Sequence, residues 1–200
     1  MYKMLAITNR LLCNNDFLAQ LQDICSLNEK NSVIKSVSIV LREKDLSENE
    51  YKDLAAKVIK ICEKSNTECI LHNFYKVARE LNCKKIHLHL HVLKSKPDVC
   101  KEFKEVGVSI HSANEAIEAI NLGATYITAG HIFATDCKKD ILPRGLSFLS
   151  SVCSSVNIPV FAIGGISLEN AQEAINAGAD GICIMSGLMN CKDPRGFLFC

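Results

Sequence analysis

Eight short apolar, β-leaning runs alternate with longer segments of helical period along this chain, the pattern of βα units around a parallel sheet. The runs are Met4–Thr8, Val37–Leu41, Cys69–His72, Lys85–His89, Val108–Ile110, Tyr126–Ala129, Val160–Ile163 and Gly181–Met185. Between them, Ser47 with Glu50 and Ser112 with Glu115 form Ser-x-x-Glu capping boxes ahead of amphipathic stretches. INLGATYI (120–127) returns as INAGADGI (175–182), one helix–Gly–strand junction used twice. In each, Gly123 or Gly178 supplies the left-handed stop before a strand. The expectation is a single (β/α)₈ TIM barrel over residues 1–200, with an open doubly wound sheet as the alternative. Such barrels usually take about 250 residues, so 200 demand short connections. After the eighth run only Ser186–Cys200 remain, with Pro194 and Gly196 inside, and the last helix is expected to be short or irregular.

Charge narrows the partners. Twenty-three basic and 22 acidic residues are well mixed, a net charge of +1 that offers no field for nucleic acid or anionic membrane. No apolar run approaches the roughly 20 residues of a membrane span, and Lys3, Thr8, Asn9 and Arg10 interrupt any signal-peptide core. The chain reads as cytoplasmic, with a small molecule as its partner. Its eleven cysteines are odd in number, scattered and free of CxxC pairs, which fits reduced thiols packed as small hydrophobes.

In either architecture, chemistry belongs beyond the carboxyl ends of the strands. The seventh exit, Ala162-Ile163-Gly164-Gly165-Ile166-Ser167, offers side-chain-free backbone amides to a phosphate, and the eighth, with Ser186 and Gly187, offers a second small nest. At the second exit Arg42 and Lys44, two residues apart, point the same way while the chain is extended, two cations for a phosphate or carboxylate. At the sixth, His131 follows a strand and a glycine, an imidazole at the barrel mouth suited to moving protons at neutral pH, with Thr135 and Lys138 as added anion contacts.

His87, His89 and His91 alternate along the fourth run and so share one face, a spacing that suits a transition metal joined by His72 or His131. No carboxylate or thiolate lies at ligand spacing to complete such a shell, so packing or a polar substrate wall is the better reading, and no metal is assigned.

Taken together, ITNR (7–10), VLREKD (40–45), ILHN (70–73), IHLH (86–89), GVSIHSANEA (107–116), GATYITAGHIFATDCKKD (123–140), IPVFAIGGIS (158–167) and AGADGICIMSG (177–187) resemble the thiamine phosphate synthase and TenI family nearly end to end. The resemblance implies a (β/α)₈ barrel with its phosphate site at the IGGI segment and the next exit. Two departures stand out. The family's synthases hold magnesium with aspartates after strand three and strand four, where this chain reads His72-Asn73 and Val92. They also usually carry proline where this chain has His131, and GHIFATDCKK (130–139) is similar to the TenI branch.

That branch resembles thiazole tautomerase. The resemblance implies an isomerase that converts 2-(2-carboxythiazolylidene)ethyl phosphate to the aromatic carboxythiazole, with His131 as general acid/base and no cofactor. Gly164, Gly165, Ser186 and Gly187 would hold the phosphate, and Arg42, Lys44, Ser109 and Lys138 would line the rest of the anionic pocket. The alternatives are a thiamine phosphate synthase, a transferase that would need magnesium, and a non-catalytic binder of thiamine-pathway phosphates. The apolar tail Phe197-Leu198-Phe199, if exposed, would suit a homodimer.

Overall fold

The computed structural model describes residues 1–28 and 33–194, so the 197–199 tail lies outside the described residues. Eight parallel strands close into a barrel in sequence order, each hydrogen-bonded to the next and β8 back to β1. They are β1 Tyr2–Ile7, β2 Ile34–Leu41, β3 Glu68–His72, β4 Lys85–His89, β5 Glu105–Ile110, β6 Tyr126–Gly130, β7 Val160–Ile163 and β8 Gly181–Ile184. Every run foreseen from the sequence is a strand, and the open-sheet alternative is set aside by the β1–β8 ladder from Lys3↔Gly181 to Ala6↔Ile184.

Short helices let eight units fit the chain. Only α2, Glu48–Lys64, is long; α1 is Phe17–Cys25, α5 Ala113–Asn121 and α6 Gly145–Ser155, while α3 Tyr75–Glu80, α4 Leu90–Ser95 and α7 Ala171–Asn176 span six residues each. The last, α8, runs Ser186–Asn190 and is short as expected. The segment after it is tied down by α1: the buried Gln20 donates from Nε2 to the carbonyls of Leu188 (2.7 Å) and Cys191 (3.0 Å), and Asn15 donates to Lys192 O.

Local signals acted largely as read. Ser47 and Glu50 form both halves of a capping box on α2. At α5 only one half forms: Ser112 accepts from Glu115 N, but the Glu115 carboxylate reaches past the cap to the amide of His111 at 2.6 Å. The echoed junctions solve one problem twice. Gly123 (φ 97°) and Gly178 (φ 107°) are both left-handed, and a Cβ on either would stand 3.0 Å from a cysteine Cβ, that of Cys100 or Cys153. Every described cysteine is a free thiol.

Strand alternation divides the apolar residues into two cores. Outward positions such as Met4, Ile39, Leu41, Leu71, Ile86, Leu88, Val108 and Ile127 pack beneath the helices with Leu21, Tyr51, Val58 and Leu149. Inward positions Leu5, Ile7, Val40, Ile70, Tyr126, Phe161 and Cys183 fill the barrel floor. Above that floor the inward residues turn polar: His72, His87 and Thr128 are buried there. Such groups stay buried only with partners, and no buried side-chain polar atom among the described residues lacks one.

Candidate active site at the carboxyl mouth of the barrel

Above the polar layer lies a cavity of about 330 Å³, lined from all around the barrel by Arg42, Lys44, His72, His87, His89, Ser109, His111, Thr128, His131, Thr135, Lys138, Gly164, Gly165 and Ser186, among others. Of the residues singled out from the sequence as phosphate, substrate or acid/base contacts, Gly187 alone is outside the wall, exposed in the first turn of α8; His91, from the histidine run, is outside it too.

The second exit is built by alternation. Arg42 and Lys44 face the cavity, while Glu43 between them turns under the rim and is 2% exposed. Its carboxylate accepts from Thr8 Oγ1 (2.6 Å), from the amide of Arg10 (3.0 Å) and from Arg10 Nη1 (3.2 Å), and Arg10 also grips Asp45 through both terminal nitrogens. Thr8 Oγ1 in turn accepts from the amide of Arg42. A charged run that looks solvated in the sequence is therefore a fixed scaffold. Burial lowers the pKa of Lys44, assisted by the neighbouring charges of Arg42 and Lys138, the sign of a cationic cluster without a carboxylate among it.

The sixth and seventh exits are one unit. Ile132 and Phe133 donate their amides to the carbonyls of Ile163 (3.0 Å) and Gly164 (2.9 Å), which lays the His131 segment along the glycine loop. Gly164 (φ 95°) and Gly165 (φ 67°) are both left-handed. Asn170 ties the loop from below, accepting from Ser167 N at 2.9 Å and donating to Gly165 O at 2.8 Å. Among the described residues the amides of Gly165 and Ile166 have no hydrogen-bond partner, and both residues line the cavity. Free backbone donors at a glycine turn are what an anion needs.

His131 is 4% exposed, and its Nε2 lies 3.1 Å from the carbonyl of Ile141. A carbonyl only accepts, so Nε2 carries the proton and Nδ1 keeps the lone pair. Among the described residues Nδ1 has no hydrogen-bond partner, and His131 belongs to the cavity wall. Thr135 faces the same space and caps the short turn Asp136–Lys138 through Cys137 N.

Of the three alternating histidines, His87 and His89 share the inward face of β4 and line the cavity, and His91 does not. His87 is inward and 2% exposed, with Nδ1 3.1 Å from Tyr126 Oη and Nε2 2.8 Å from Ser109 Oγ. Both of its nitrogens are thus engaged. His89 is at the cavity rim, but the strand ends there, and His91 is exposed on α4 with its ring stacked on that of His89. Onset of the helix at Leu90 breaks the alternation on which the shared face depended. Burial holds His87 down at about 3 and His72 well below 6.5; burial, with Lys44, His91 and Arg42 nearby, holds His89 at about 4. His72, His87 and His89 are therefore neutral imidazoles at ordinary pH.

Magnesium does not fit this donor set. A hard dication takes carboxylate oxygens, and no aspartate or glutamate lines the cavity. Asn73 uses its Oδ1 to accept from His89 N, and Val92 packs on the helical side of the core.

Asn170, Tyr126 and His111, whose Nδ1 donates to Gly130 O at 2.8 Å, were not singled out from the sequence. Asn170 carried one signal, an amide three residues after Ser167 beside a glycine pair. The other two acquire their roles only through contacts across strands.

The closed (β/α)₈ barrel thus gathers glycine-turn amides, a cationic cluster and a buried imidazole at one mouth. A family model described as thiamine monophosphate synthase matches residues 4–188. The thiamine-phosphate synthase of Clostridium acetobutylicum is 33% identical over 206 residues, spanning 99% of this chain and 93% of that protein. That of Clostridium novyi is 30% identical over 98% of this chain and 94% of that protein. Among solved structures, a thiamine phosphate pyrophosphorylase from Pyrococcus furiosus superposes with a TM-score of 0.77 at 25% identity, covering 99% of this chain and 94% of that one. This chain belongs to the thiamine monophosphate synthase family, TenI proteins included. Among the described residues no helix is long and apolar enough to cross a membrane.

Proposed function

We propose that this chain is a thiazole tautomerase, isomerising 2-(2-carboxythiazolylidene)ethyl phosphate to the aromatic 2-carboxythiazole ethyl phosphate. The observation that carries the reading is the placement of His131 in the cavity wall, with Nε2–H on Ile141 O and its Cβ packed against a glycine loop whose Gly165 and Ile166 amides have no partner among the described residues. The substrate phosphate sits on Gly164, Gly165 and Ser186. His131 Nδ1 takes the proton from the ring carbon that bears the carboxylate, and the imidazolium returns it to the exocyclic carbon of the ylidene. The double bond moves into the ring, nothing is oxidised, and one base serves both transfers. Between the two steps negative charge spreads into the carboxylate. Arg42, Lys44 and Lys138 are the cations available to stabilise it, a contribution larger in a cavity than in water.

A second reading has its own support: the relatives above are named for thiamine-phosphate synthesis, a transferase reaction. The two separate in one pair of assays. The tautomerase reading expects the absorbance of the aromatic thiazole to rise without added metal and no thiamine phosphate to form from hydroxymethylpyrimidine diphosphate and thiazole phosphate with magnesium. The reverse pair of results would establish the transferase.

A further inference from the structure

Below the cavity, Tyr126, His87, Ser109 and Thr128 form one hydrogen-bonded chain across three neighbouring strands. Tyr126 Oη lies 3.1 Å from His87 Nδ1, His87 Nε2 lies 2.8 Å from Ser109 Oγ, and Thr128 Oγ1 donates to Ser109 Oγ at 3.2 Å. The contact between Tyr126 and His87 exists because of what is absent between them. Gly107 of β5 pairs with His87 on one side and with Tyr126 on the other. A Cβ there would stand 2.1 Å from Tyr126 Cζ and 2.4 Å from His87 Nδ1. The glycine in mid-strand leaves the space in which the phenol and the imidazole meet.

Proton positions follow from satisfying every group. Tyr126 is 5% exposed and its hydroxyl meets no polar group among the described residues other than His87 Nδ1, so the arrangement that satisfies its proton within the barrel has Oη–H donating and Nδ1 accepting. The neutral ring then carries its proton on Nε2 and donates it to Ser109 Oγ. Thr128 is 1% exposed and has Ser109 Oγ as its acceptor, so it donates there too. Both lone pairs of Ser109 Oγ are now occupied. Its own proton has no acceptor in the protein and Ser109 lines the cavity.

We propose that Tyr126 and His87 are positioning residues that lock Ser109 as a one-way hydroxyl donor to the substrate carboxylate. The assignment of the ligand rests on the tautomerase reading; the direction of the chain does not. A hydroxyl free to rotate would serve carboxylate and carboxylic acid alike. One whose lone pairs are both filled can only donate, and it selects the anion.

The experiment has two parts. Nitrogen-15 NMR of the ligand-free protein at neutral pH reports the His87 tautomer: Nε2 protonated and Nδ1 bare in wild type, and a mixture in Tyr126→Phe and Gly107→Ala. Calorimetry then compares binding of the aromatic carboxythiazole phosphate with that of the same thiazole phosphate lacking its carboxylate. Ser109→Ala is expected to weaken the carboxylated ligand about 10- to 100-fold, and Tyr126→Phe about 2- to 10-fold, with the decarboxylated ligand unmoved in both. A proton on His87 Nδ1 in wild type would overturn the chain's direction. Equal losses for both ligands would overturn the carboxylate assignment. Binding needs no turnover, so failure of the tautomerase assay leaves both parts decisive.

Discussion

Gly164 lacks a side chain at the point where a Cβ would stand 2.2 Å from the Cβ of His131, so the glycine loop and His131 share one packed contact. The spacing between the glycine loop and His131 is therefore set by backbone rather than by flexible side chains. Gly164 is also left-handed, at φ 95°.

Gly164→Ala is expected to lose activity and stability together. A left-handed alanine is strained by about 1–3 kcal/mol, and the added methyl must displace His131. Urea unfolding and turnover measured on the same preparation check this. A variant of wild-type stability and wild-type turnover would contradict the packed contact.

Glu43 should behave as a structural residue despite its place in the cationic loop. Glu43→Ala leaves Thr8 Oγ1 and the Arg10 amide without their acceptor, at a cost of about 1–3 kcal/mol for each group left unsatisfied. The urea midpoint is expected to fall. Raised KM with an unchanged midpoint would mean that Glu43 meets substrate instead.

Arg42→Met removes a cation from the cavity wall while keeping most of the aliphatic stem. A hydrogen bond to a charged group contributes about 1.5–3 kcal/mol, or roughly 10- to 100-fold in affinity. Binding of the carboxylated thiazole phosphate is expected to weaken by that factor, with the unfolding midpoint unchanged. Wild-type affinity would remove Arg42 from the site.

Mild acid should destabilise the fold. His72 and His87 are buried and titrate well below the 6.5 of an unfolded histidine, His87 at about 3. Below pH 6.5 the unfolded chain binds protons that the folded chain refuses, so their stabilisation is complete above about pH 6.5 and is lost as pH falls toward the folded values. Each contributes a slope of up to about 1.4 kcal/mol per pH unit in that window. His89, half open to solvent, contributes less. Urea midpoints at pH 7.5 and pH 5 measure the slope, and His87→Gln should flatten it. Equal wild-type midpoints at the two pH values would contradict buried neutral imidazoles.

How much of this was legible in the chain depends on whether a feature is local. Strands, capping at Ser47 and the glycine stops at Gly123 and Gly178 are decided within a few residues, and they read directly. The exit rule then brought Arg42, Lys44, His131 and Gly164 to one mouth, because closure of the barrel gathers every carboxyl end. What could not be read is lateral. Gly107 looks like a weak point in a strand until β4 and β6 flank it with His87 and Tyr126. Glu43 looks like one charge of a solvated run until Thr8 and Arg10 of the β1 exit close on it. His91 failed for a different reason, since the end of a strand is the least determined part of a periodic pattern.

The most direct test of proton transfer through His131 is the rate of thiazole aromatisation, followed by absorbance without added metal, for wild type and His131→Ala. Positioned acid/base catalysis contributes about 10² to 10⁴ in rate. A loss of that size in the mutant, with binding of the aromatic product preserved, is the expected result. A wild-type rate no faster than buffer, or a His131→Ala rate equal to wild type, would contradict the account.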